Sequence, residues 1–108
     1  MEAGPRPGNL PMKRMLVRYK TKPEAADLNQ RLIETVFQEL HAKAPDGVQY
    51  MVLRLADGTF LHFVQGKSDI IPALDAFKPF GGTVKDRCLE PPQQSEATVV
   101  GDYRTLSG

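Results

Sequence analysis

The feature that most constrains this chain is the tetrapeptide Ala56-Asp57-Gly58-Thr59 between two strand-like runs, VQYMVLRL and TFLHFVQ. A turn signal flanked by β-branched and aromatic residues reads as a hairpin. A strand and then a helix precede the pair, and a helical region and a strand follow it. The order is β-α-β-β-α-β, the split β-α-β pattern of a ferredoxin-like α+β fold with a four-stranded antiparallel sheet. Right-handed crossovers then place both helical regions on one face of that sheet.

Alternation over 12–20 sets Met15, Val17 and Tyr19 on one face of the first strand and Leu16, Arg18 and Lys20 on the other. Thr21-Lys22-Pro23-Glu24 reads as a helix start, with Thr21 as cap and Glu24 completing a capping box. Leu28, Leu32, Val36 and Leu40 follow at helical spacing, widened by Ile33 and Phe37. Pro45-Asp46-Gly47 stops the helix.

Asp57-Gly58 suits a two-residue type I′ turn, in which both positions take positive φ. That turn opposes Leu55 to Phe60, Leu53 to His62 and Met51 to Val64 on one side of the hairpin. Tyr50, Val52, Arg54, Leu61, Phe63 and Gln65 then share the other side. Beyond the hairpin, Pro72 and the pair Pro79 and Gly81-Gly82 predict a broken helical region, with short helices over 72–77 and 83–89. Pro91-Pro92 ends it, and the last strand is expected over 97–104.

Both sides of the central hairpin are substantially apolar, yet the helices cover only one face of the sheet. An uncovered apolar face of that size marks an interface. Burying several hundred Å² against a second copy is worth on the order of 10 kcal/mol before association costs. The expected partner is an identical subunit, joined through the open sheet face as a two-fold homodimer.

Totals bound the rest. The 108 residues suit one domain over 12–106, with 1–11, rich in Gly and Pro, as a flexible tail. A net charge of +1 argues against a dedicated nucleic-acid binder. The run from Gly58 to Val64 echoes an RNA-binding strand motif, but the first strand offers no aromatic at the matching position. No apolar run reaches membrane-spanning length, and the start lacks the apolar centre of a signal peptide. With one cysteine and hence no internal disulfide, a cytoplasmic location is the simplest expectation.

Four residues are candidates for a site. His62, mid-strand among apolar neighbours, is the candidate general base, because desolvation keeps an imidazole neutral and able to accept a proton. Tyr50 and Arg54, with Phe63 between them across the strands, are candidate ligand-pocket residues; their alternative is to carry polar tips to the rim. No carboxylate accompanies the strand histidine, so no metal site is expected. Cys88, beside Val84 on a helix face, reads as a small hydrophobe, and Gly81-Gly82 as a helix break.

MLVRYKTKPE, the helix through LHAKAPDGVQY, LADGTFLHFV, and FKPFGGTVKDRCLEPP followed by VVGDYR together resemble the dimeric α+β barrel superfamily. That group includes antibiotic biosynthesis monooxygenase-like domains and stress-responsive barrel proteins, and the likeness is nearest to its small bacterial members. The resemblance implies a homodimeric α/β barrel with a ligand-sized cavity between sheet and helices in each subunit. It implies no cofactor for members that oxidise aromatic polyketides, whereas others degrade haem. Those activities lean on an Asn near the first strand and a Trp deeper in the pocket, or on an axial His. This chain has no Trp, and its two His are His41 and His62. The expected function is binding of a small hydrophobic or aromatic molecule, with cofactor-independent monooxygenase-like chemistry at His62. The alternative is a non-enzymatic dimeric interaction module without a substrate.

Overall fold

Alternation in the first strand holds in three dimensions. The computed structural model describes residues 13–105, so the 1–11 tail lies outside it. Strand β1 (Arg14–Thr21) pairs antiparallel with β3 (Thr59–Gly66) and β4 (Cys88–Glu96), and β2 (Val48–Arg54) closes the sheet on the far side of β3. The order β2-β3-β1-β4 is that of an antiparallel ferredoxin-like sheet. Tyr19 and Phe60 point to one face and form the core with Ala26, Ile33 and Val36 of helix α1 (Ala26–Lys43), Phe80 of helix α2 (Phe77–Gly81), and Val84. Both helices therefore cover the same side of the sheet.

Several local expectations are corrected. Thr21 does not cap α1. It ends β1, and its hydroxyl donates to the Gly58 carbonyl at 3.2 Å, while a 3-10 turn over Pro23–Ala25 leads into the helix. Of the expected α1 stripe, Ile33 and Val36 are buried and Leu32, Phe37 and Leu40 pack against the core, joined by Ala26 and Asn29, but Leu28 is turned out, 44% exposed. The helix ends at Lys43, two residues before Pro45, and Ala44 beyond it adopts a left-handed conformation and donates its N–H to the Leu40 carbonyl. Residues 72–76 form turns, and α2 begins only at Phe77. A 3-10 turn, Val84–Arg87, takes the place of the second short helix.

The last strand is Cys88–Glu96, with Pro91 and Pro92 inside it; residues 97–104 are irregular. Prolines fit because β4 is an edge strand, where a missing N–H need not break a ladder.

The hairpin correction matters most. The loop has three residues, not two. Leu55 N–H bonds the Thr59 carbonyl and Gly58 N–H bonds the Leu55 carbonyl. Gly58 takes φ +89°, whereas Asp57 stays at negative φ and its carboxylate accepts from Thr59 N–H. This is a turn closed by a glycine bulge rather than type I′. The extra residue moves the register by one, so Val52 opposes His62, Tyr50 opposes Val64 and Arg54 opposes Phe60. A slip of one exchanges the faces of a whole strand. Tyr50 and Arg54 thus join His62 on the helix side, and Phe63 is turned to the open side with Met51, Leu53 and Leu61.

Candidate functional site

Three strands and helix α2 converge on His62. Placed inward by β3 and 5% exposed, its imidazole lies over Phe80 of α2, with ring centroids 5.4 Å apart. Its two nitrogens meet two tyrosines. Tyr19 Oη of β1 lies 2.8 Å from Nε2, and Tyr50 Oη of β2 lies 2.7 Å from Nδ1. The neighbouring strands supply them because all three residues face the helices.

The network continues away from Tyr50. Asn29 of α1, fully buried, donates from Nδ2 to Tyr19 Oη at 2.8 Å. Arg87 donates from Nε to Asn29 Oδ1 at 2.9 Å and from Nη2 to the Phe80 carbonyl at 3.0 Å. It also stacks its guanidinium 5.6 Å from the Phe80 ring centroid. A buried polar network is stable only when every member is paired, and each member here has a partner.

Burial sets the electrostatics. Desolvation lowers the His62 pKa to about 4, so the ring is neutral near pH 7. Desolvation raises both tyrosines well above the usual phenol range; at Tyr19 the Asn29 bond partly offsets it. Desolvation also pulls Arg87 down and pushes the Cys88 thiol up. The result is an uncharged polar cluster of one imidazole and two phenols.

Tyr19, Tyr50 and His62 of this cluster line a pocket of about 390 Å³ between sheet and helices. Met15, Val17 and Val64 of the sheet and Ile71, Phe77 and Val84 of the helical side supply apolar walls, and Lys13, Ser68 and Gln94 add polar side chains to the lining. The helical wall is tied down by α1. Glu39 accepts from Asp75 N–H at 3.1 Å and Ala76 N–H at 2.7 Å. Lys43, 2.6 Å away, is the main reason its carboxyl is held below the usual carboxylate range.

The structure brings together two of the four candidates, His62 and Tyr50. Arg54 shares their face but not their pocket. Its Nη1 donates to Asp27 Oδ1 at 3.1 Å and Gln30 Oε1 at 2.6 Å on α1. Phe63 is on the opposite face of the sheet, because the bulge at Gly58 shifts the register. Tyr19, Asn29 and Arg87 were not singled out from the sequence. One signal was available: Asn29 is a polar residue in step with Ile33 and Val36, on what should be an apolar stripe.

Among the described residues no group of three or more His, Cys, Asp or Glu could hold a metal, and no helix is long and apolar enough to cross a membrane.

No family model and no curated protein matches the chain in sequence. Solved structures match in fold. One is a Nitrosomonas europaea protein provisionally described as an antibiotic biosynthesis monooxygenase. It is 14% identical with a TM-score of 0.67, covering 82% of this chain and 90% of its own. A Bacteroides thetaiotaomicron protein with the same provisional description is 12% identical with a TM-score of 0.69, covering 83% and 90%. Rv0793 from Mycobacterium tuberculosis is 15% identical with a TM-score of 0.64, covering 84% and 97%. The chain has the α+β ferredoxin-like fold of the antibiotic biosynthesis monooxygenase proteins, as the sequence resemblance implied.

Proposed function

We propose that residues 12–106 form one domain of a homodimeric barrel that binds a small hydrophobic or aromatic molecule in the pocket between sheet and helices. The observation that carries this reading is the pocket itself: about 390 Å³, lined mainly by apolar side chains together with Tyr19, Tyr50 and His62. Concave apolar sites with a few placed polar atoms are the usual form of small-molecule sites. The homodimer rests on the open face, where Met51, Leu61 and Phe63 are only half-buried, Leu53 is 43% exposed, and no described element covers them.

The finer enzymatic reading, cofactor-independent monooxygenase-like chemistry with His62 as base, asks more of the site. His62 is neutral and able to accept a proton. With a pKa of about 4, however, holding that proton near pH 7 costs roughly 4 kcal/mol. Both ring nitrogens are also occupied by the two tyrosines, so neither is open to a ligand. Binding is therefore the reading the geometry supports best.

Titration with 1-naphthol, followed by NMR, tests it. Saturable shifts at Tyr50, Phe77 and Val84, lost when Val84→Trp fills the space, are the expected result. An unchanged spectrum would favour the module without a substrate.

A further inference from the structure

Arg87 is a donor only, whatever its surroundings. Its Nε donates to Asn29 Oδ1, which fixes the orientation of that amide and turns Nδ2 toward Tyr19. Tyr19 Oη therefore accepts from Asn29. Its own proton must go elsewhere, and Tyr19 is only 1% exposed. A buried hydroxyl proton without an acceptor costs about 1–3 kcal/mol. The remaining polar atom in reach is His62 Nε2, at 2.8 Å.

Nε2 is then an acceptor, and a neutral imidazole carries its single proton on the other nitrogen. Nδ1–H donates to Tyr50 Oη at 2.7 Å. The reverse polarity would leave Tyr19 accepting twice with its hydrogen unpaired. Tyr50 is the end of the chain. Its oxygen is engaged by His62, its hydroxyl hydrogen has no protein acceptor among the described residues, and Tyr50 lines the pocket.

We propose that Tyr50 is a hydrogen-bond donor into the pocket, oriented by an Nδ1-protonated His62, and that the ligand is a small apolar molecule presenting a carbonyl or similar acceptor oxygen to it. This rests on the pocket-binding reading and makes His62 a positioning residue. A series of buried groups, each paired in one direction, imposes the polarity from Arg87 outward. At Tyr50 that polarity discriminates: an acceptor completes the chain, and a group that can only donate meets a hydrogen.

Two measurements test this. Long-range proton–nitrogen NMR of the histidine side chains reads the tautomer without any ligand. A protonated Nδ1 is expected, and a protonated Nε2 would overturn the proposal. The second measurement compares three bicyclic probes by calorimetric titration: 1-indanone, which only accepts; indole, whose N–H only donates; and indene, which does neither. One added neutral hydrogen bond makes 1-indanone bind roughly fivefold tighter than indene. Tyr50→Phe should remove that advantage and leave indene unchanged. An indole preference, or an indanone preference that survives Tyr50→Phe, would overturn the donor role. Failure of all three probes to bind overturns the pocket reading and the ligand class with it, whereas the tautomer still decides the polarity.

Discussion

Tyr50 Oη and His62 Nδ1 lie 2.7 Å apart across the central hairpin, although the two residues are not opposed in register. His62 opposes Val52, and Tyr50 opposes Val64. The contact is a diagonal one between neighbours on the same face, within reach of long aromatic side chains. It exists only because the loop has a third residue. The Tyr50 ring is held from the other side by Phe37 of α1, stacked at 4.9 Å between centroids.

The two tyrosines should differ in what they contribute to stability. Tyr19→Phe leaves Asn29 Nδ2 and His62 Nε2 unpaired in the interior, and the expected loss is about 2–4 kcal/mol. Tyr50→Phe frees only Nδ1, beside a pocket that water can enter, so about 1 kcal/mol is expected. Chemical denaturation of both variants checks the order. Equal losses would contradict the network.

Acid should destabilise the protein through His62. Its folded pKa, about 4, lies below the unfolded value near 6.5, so the unfolded chain binds the proton first as pH falls. The stability conferred by the neutral ring is complete above about pH 6.5 and falls progressively toward pH 4, by roughly 3 kcal/mol in total. Thermal melts between pH 7 and pH 4 measure this. His62→Gln, which cannot titrate there, should show a flatter dependence on pH.

Gly58→Ala should cost about 1–2 kcal/mol, because φ is +89° and an L-residue resists that conformation. The added methyl would also sit 3.4 Å from the Thr21 carbonyl oxygen, an ordinary contact, so strain and not a clash sets the size of the effect. Urea denaturation measures it. A neutral substitution would contradict the bulged turn.

Phe63→Glu places a charge at the centre of the open face without touching the pocket. The expected outcome is a monomer by light scattering, with unchanged far-ultraviolet circular dichroism. A wild-type protein that is monomeric at micromolar concentration contradicts the proposed homodimer outright.

Much of the fold was legible because its signals are periodic. Alternation placed Met15, Val17 and Tyr19 correctly, and the element order gave the sheet. The misreadings come from signals that depend on a single residue. Asp57-Gly58 serves a two-residue turn or the end of a three-residue one, and composition does not distinguish them. Yet that choice decides whether His62 faces Tyr50. Pro91-Pro92 looked like a terminator because the edge position of β4, which tolerates proline, is a property of the sheet and not of the local run. The contact between Asn29 and Arg87 spans 58 positions. No local pattern encodes it, although an asparagine on the inner stripe of α1 hinted at a buried partner.

The most direct test of the central claim is side-chain NMR of Tyr50 and His62 during titration with 1-indanone. Saturable shifts at both residues, with those of the open sheet face unmoved, are expected if the ligand site is the pocket that this pair lines. Saturable binding that shifts Leu53, Leu61 and Phe63 while Tyr50 and His62 stay still would contradict it.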